Sequence, residues 1–116
     1  MKITCNQQIL SKALNTVSKA VSSRTTIPVL KGILIEAFSD GNLKLAASDL
    51  DLSIEKTIPV NVWEEGSIVV SAKLFIDIIK RLPNEEIEIE EEEGSVTIKC
   101  LASEFNIVGQ SADEFP

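Results

Sequence analysis

The sequence predicts an α+β domain in which a β-α-β-β-β unit occurs twice, with two helices on one side of mostly antiparallel sheets. Three observations predict it. Two segments carry apolar residues at helical spacing. Short strand-like stretches surround them in the same order each time, an internal repeat of supersecondary structure with little sequence identity. Turn signals, not helices, separate most of the strands, which favours antiparallel pairing. A length of 116 residues suits one such domain with a single core.

The elements follow in chain order. A short strand, Lys2 to Cys5, leads into Ile9, Leu10, Ala13, Leu14, Val17 and Val21, the apolar face of an amphipathic helix. "SSRTTIP" ends it, because β-branched residues and Pro28 disfavour further helix. "ILIEAF" and "LKLAAS" flank "SDGN", a hairpin signal. "LSIEKTIPVNV" reads as a third strand with Pro59 near its end or on an edge. "SIVV" opens the second unit, and Ser71 is placed to cap the helix that follows. Leu74, Phe75, Ile78, Ile79 and Leu82 form that helix's apolar stripe, stopped at Pro83. "EIEIE", "SVTIKC" and "EFNIVG" complete about eight strands, with a tight turn at Glu93-Gly94.

Composition narrows the chemistry. The chain has no histidine, so acid–base catalysis would need a strongly shifted Asp, Glu or Lys. Cys5 and Cys100 sit in strand-like stretches and read as buried thiols, with a disulfide between them the less favoured alternative. No signal-peptide core and no apolar run of membrane-spanning length is present, which predicts a cytoplasmic protein with no membrane partner. The closing "SADEFP" reads as the start of a linker, and the chain as a fragment of a longer one.

A net charge of −7 argues by itself against a polyanionic partner. The distribution argues otherwise. No acidic residue precedes Glu36, whereas Lys2, Lys12, Lys19, Arg24 and Lys31 do. Lys12 and Lys19 are seven apart in the first predicted helix and so share its polar face. Lys73 and Lys80 repeat that spacing in the second, with Arg81 adjoining and only Asp77 interrupting. The glutamates from Glu85 to Glu93 fall on the next strand, where alternation sends Ile87 and Ile89 to one face and Glu86, Glu88 and Glu90 to the other. Helices are basic and outer strands acidic. Solvated lysines and charge against edge aggregation are the plain alternative.

Three other functions compete. "DLDLS", Asp49 to Ser53, has the Asp-x-Asp pattern of magnesium-dependent phosphotransferases, but such enzymes need parallel βαβ units and further catalytic groups. Glu90 to Glu93 are adjacent carboxylates, yet successive strand residues point to opposite faces and would not converge on a metal. A non-catalytic interaction domain using the edge strand at 105–109, without nucleic acid, remains the third.

Several stretches together resemble the first domain of the bacterial sliding clamp, the β subunit of DNA polymerase III. They are "MKITC", "SSRTTIPVLKGILIEA", "LAASDLDLSIE", "SAKLFIDIIKRLP" and "ADEFP", and the likeness runs through residues 1–116 in order. It implies a DNA clamp fold built on the duplicated βαβββ unit, as the first of three domains. Two such chains would close head to tail as a ring homodimer around duplex DNA, with helices lining the hole and sheets outside. It further implies a processivity factor with no catalytic residues, no metal and no cofactor. The replicative polymerase and the clamp loader would be partners of the full-length protein. Arg24 matches a family position that meets the DNA backbone, and Lys12, Lys19, Lys73, Lys80 and Arg81 are the other expected DNA-facing residues. The subunit interface is expected at Lys73, Phe105 and Ile107, the last two as apolar anchors or, alternatively, as ordinary core. Family members can carry arginines flanking that strand. Ala102 and Glu104 stand there instead, so an ionic part of the interface would be rearranged or weaker.

Overall fold

Alternating burial shapes the strands and a 3.6-residue stripe the helices. In the computed structural model, which describes residues 1–22 and 24–116, both patterns resolve into regular elements. Ser23, in the segment expected to end the first helix, lies outside the described residues. The order is β1 (Lys2–Asn6), α1 (Gln7–Val17), β2 (Gly32–Ala37), β3 (Asn42–Ser48), β4 (Ser53–Pro59), β5 (Asn61–Glu64), β6 (Gly66–Ser71), α2 (Ala72–Arg81), β7 (Glu86–Glu92), β8 (Ser95–Cys100) and β9 (Ser103–Val108). Short 3₁₀ turns occupy Ser18–Ala20, Pro28–Lys31 and Ala112–Glu114.

The strands form two antiparallel sheets, ordered β5-β1-β7-β8-β9 and β4-β3-β2-β6. The duplication is visible in that order. β1-β7-β8-β9 matches β6-β2-β3-β4 position for position, so each sheet holds the first strand of one unit and the last three of the other. Neither unit can complete a sheet alone. The two halves are therefore locked into one core.

Ile3, Ile87, Ile89, Val96 and Ile98 from the larger sheet meet Ile33, Ile35, Leu43 and Leu45 from the smaller one. Leu10, Leu14 and Val17 of α1 and Phe75 and Ile79 of α2 fill the space beside them. Both helices thus lie on the core side of the sheets, as predicted. A second cluster, Val29, Leu30, Leu34, Ala46 and Val69, seals part of the other face of the smaller sheet.

The third predicted strand is two. β4 ends at Pro59, which has no N–H to continue a ladder, and the N–H of Val60 donates to the carbonyl of Gly41 at 2.9 Å. The chain there leaves the smaller sheet and resumes as β5 on the edge of the larger one. This gives nine strands among the described residues where about eight were expected.

The turns follow their chemistry. Glu93 (φ 53°) and Gly94 (φ 83°) form the two-residue turn between β7 and β8, both in the left-handed region. The "SDGN" turn is one residue longer than a minimal hairpin: Phe38 N–H donates to Asn42 O at 2.9 Å, around Ser39, Asp40 and Gly41. No helix among the described residues is long and apolar enough to cross a membrane.

Candidate nucleic-acid interface

The side chain of Asn6 caps α1 by accepting from Ile9 N–H at 3.1 Å, and Gln7 N–H donates to Glu85 O at 3.0 Å. Leu10, Ala13, Leu14 and Val17 then face the core, which places Lys12 on the opposite, exposed side. The α-helix stops at Val17 and tightens into the 3₁₀ turn Ser18–Ala20. Lys19 is exposed on that turn, just beyond the α-helix that carries Lys12. Val21 lies beyond the turn, half-buried against the core. Ile9, assigned to the apolar face, is 49% exposed.

In α2 the Ser71 hydroxyl accepts from Leu74 N–H at 3.3 Å, and Phe75 and Ile79 are fully buried. Lys73 and Lys80 project opposite them, with Arg81 beside Lys80 in the last turn, and all three are exposed. Leu74 departs from the expected stripe and is 49% exposed. Arg24 is exposed in the loop between the 3₁₀ turns.

α1 and α2 pack against each other. Gln7 Nε2 donates to Ile79 O at 2.7 Å in the interior. Outside it, Asn6 Nδ2 donates to Asn84 Oδ1 (3.0 Å), and Asn84 Nδ2 donates to Gln8 Oε1 (3.3 Å). The two basic helix faces are therefore neighbours on one side of the molecule.

Two further cations join them. Lys31 and Lys73 line one cleft with Val21, Ser22 and Ser71. Lys56 and Lys12 line another with Ile9, Thr16 and Pro59. Lys56 sits between Ile54 and Ile58 on β4 and pairs with buried Leu45, so alternation turns it toward the helices. That position in "SIEKTIP" was the signal available in the sequence. Lys31 closes the 3₁₀ turn that begins at Pro28, and no periodicity announces it.

Ion pairing separates the cations into two sets. Lys2 reaches Glu88 at 3.6 Å and Glu90 at 3.9 Å, Lys44 reaches Glu36 at 3.3 Å and Glu55 at 4.0 Å, and Lys99 reaches Glu88 at 3.9 Å and Glu104 at 4.0 Å. All lie on strands. Among the described residues no ion pair involves Lys12, Lys19, Arg24, Lys31, Lys56, Lys73, Lys80 or Arg81. Asp77, one turn from Lys73 and Arg81, pairs with neither. The outward side of the larger sheet carries the acid instead. Its cross-strand rows read Glu64, Lys2, Glu90, Thr97, Asn106 and Asn61, Thr4, Glu88, Lys99, Glu104.

β9 is one of the two edge strands of that sheet, opposite β5. Phe105 and Ile107 lie opposite Ile98 and Val96, so both point to the core side. Ile107 is half-buried against the core, whereas Phe105 overhangs it at 38% exposure. Glu104 is held on the opposite side by Lys99, and Ala102 is exposed in the turn before β9. Lys73 stands near the other end of this edge: Lys31 and Ser71, which share its cleft, also line the one that contains Val108.

The competing sites have structural occupations. Asp49 Oδ1 accepts from Asp51 N–H at 3.0 Å and Leu52 N–H at 2.7 Å, holding a turn in which Leu50 has φ 80°. That turn joins antiparallel strands, unlike the parallel unit of a phosphotransferase. Ile87 and Ile89 are buried and Glu86, Glu88 and Glu90 lie on the opposite face, as alternation requires. Cys5 and Cys100 are both free. β7 runs between their strands, which puts their Cα atoms about 10 Å apart, beyond the reach of a disulfide. Burial, with Glu86 nearby, pushes the Cys5 thiol up to about 12, and burial raises Cys100 as well.

This architecture has known counterparts. The model of the DNA polymerase III beta subunit, N-terminal domain, matches residues 1–116. The beta sliding clamp of Halalkalibacterium halodurans is 46% identical over 125 residues, covering all of this chain and 33% of the relative. That of Bacillus subtilis is 43% identical with the same coverage. Among solved structures, the Bacillus subtilis DNA polymerase sliding clamp superposes with a TM-score of 0.95 at 42% identity, over the whole chain and 33% of that structure. The beta subunit from DNA polymerase of Streptococcus pyogenes gives 0.94 at 34% identity, over the whole chain and 32% of that one. The chain spans about a third of the length of the relatives it matches.

Proposed function

The chain belongs to the DNA polymerase III beta subunit family, and from that premise we propose that it is the first domain of a sliding clamp, a non-catalytic processivity factor. In the full-length protein Lys12, Lys19, Arg24, Lys73, Lys80 and Arg81 face duplex DNA, joined by Lys31 and Lys56. One observation carries this reading: Lys2, Lys44 and Lys99 on outward strand faces are paired with glutamates, while among the described residues the helix-side cations make no ion pair. Unpaired cations attract phosphates without reading bases and exchange among them readily, which suits sliding. The acidic sheet faces away from the duplex and repels it.

Phe105 and Ile107, with Lys73 at the far end of the same edge, form the head-to-tail contact with a second copy. β9 supplies a free backbone edge and Phe105 an exposed anchor. Closing a ring converts weak phosphate contacts into topological retention, and a polymerase held by that ring stays on its template in the cytoplasm. Loading full-length protein with a clamp loader onto nicked circular DNA, then linearising the circle, tests this. Retention on the circle and rapid loss from the linear form is the expected result. Equal loss from both would refute a ring.

A further inference from the structure

Trp63 is the only tryptophan of the chain, and it is 69% exposed. An aromatic of that size normally buries most of its surface. It stands at the irregularity where β5 pairs with Lys2 and Ile3, on the outward side of the larger sheet. Its indole N–H donates to Thr4 Oγ1 at 3.4 Å, and Thr4 is buried. The ring thus lies over Thr4 with much of its surface open to water. Beside it a cleft of about 390 Å³ is lined by Ser39, Asp40 and Gly41 from one side and Val60, Asn61 and Val62 from the other. β5 is an edge strand, paired on one side only.

The surroundings are anionic. Outward-facing Glu64 is held by the amino terminus at 3.2 Å, and Glu88 and Glu90 by Lys2, whereas Asp40 borders the cleft with no ion pair among the described residues. Like charge disfavours nucleic acid here. An exposed indole beside a cleft that holds the unpaired carboxylate of Asp40 fits a guanidinium or ammonium group, because the ring face attracts a cation and the acid complements its charge.

We propose that the outward surface around Trp63 is a docking site for a basic, extended segment of a partner protein. An arginine or lysine of the segment stacks on Trp63, a second enters the cleft beside Asp40, and the segment's backbone adds to the free edge of β5. This site is on the side opposite the unpaired helix cations and does not depend on DNA binding.

The lone indole supplies the readout. A short peptide of alternating arginine and valine, titrated into the chain, is expected to change Trp63 emission saturably and with a strong salt dependence. A glutamate–valine peptide should not. By calorimetry, Trp63→Ala should weaken the arginine peptide at least tenfold without altering the melting temperature. Asp40→Asn keeps the turn acceptor, removes the charge and should weaken binding several-fold. Four results would overturn the proposal: no saturable binding, binding indifferent to Trp63→Ala, a single-stranded oligonucleotide outcompeting the peptide, or a concentration-dependent emission shift showing that a second copy occupies the edge. Hydroxyl-radical footprinting of the full-length protein supplies a further arm, where Trp63 is expected to be modified without peptide and protected with it. Protection in its absence would show the face covered by the protein itself and end the proposal.

Discussion

Gln7, on the first turn of α1, donates its side-chain amide to the carbonyl of Ile79, near the end of α2, at 2.7 Å and away from solvent. One buried hydrogen bond thus fixes how the two basic helices sit beside each other. Gln7→Ala removes it and part of the packing around it. The expected cost is about 1–2 kcal/mol, seen as a lower urea midpoint with an unchanged m-value. Gln8→Ala, at an exposed contact, is expected to cost less than about 0.5 kcal/mol.

The buried thiols give a pH signature. An unfolded cysteine ionises near the ordinary value of 9.0, whereas folded Cys5 keeps its proton up to about 12. The folded state therefore binds more protons between those values, so this contribution to stability is complete below about 9 and is lost as pH rises toward about 12. Urea titrations across that range should show the decline, and Cys5→Ala should flatten it. At neutral pH a thiol reagent should label both cysteines only after denaturation.

Lys56→Glu tests the cation that alternation turned toward the helices. In the full-length protein it should lower the salt slope of duplex binding by more than about 1, since it removes one phosphate contact and adds a repulsion. Thermal stability should barely change, because Lys56 is exposed and without an ion pair among the described residues.

Glu93 adopts φ 53° in a turn that favours asparagine or glycine. Glu93→Asn should stabilise the chain by a few tenths to about 1 kcal/mol, read as a rise in melting temperature.

Phe105 and Ile107 should separate by assay. Ile107→Asp places a charge against the core and should cost the isolated chain more than about 2 kcal/mol. Phe105→Asp, at an overhanging residue, should leave the chain folded but dissociate the full-length dimer in sedimentation.

Much of this was legible in the sequence where pattern and environment agree. Ile87 and Ile89 alternate with glutamate, and Ser71 caps α2, because those local rules meet no opposition. The misses fall where tertiary structure decides. Ile9 and Leu74 have the right spacing for burial, yet each sits at the margin of its helix's buried stripe. Nothing local reveals that Pro59 ends one sheet and Val60 begins the passage to the other, because that step depends on Gly41, far back in the chain. Nothing in the spacing of Lys12 and Lys19 shows that the α-helix tightens into a 3₁₀ turn at Ser18. Charge segregation survived these changes because it depends on which element carries a residue, not on its exact rotation.

The most direct test compares two charge reversals in the full-length protein by measuring duplex DNA affinity against salt. Reversing Lys12, Lys19, Arg24, Lys73 and Lys80 together should abolish measurable affinity at moderate salt and flatten its salt dependence. Reversing the paired strand lysines Lys2, Lys44 and Lys99 should leave both close to wild type. Equal losses from the two sets, or none from the first, would contradict a phosphate-facing helix side.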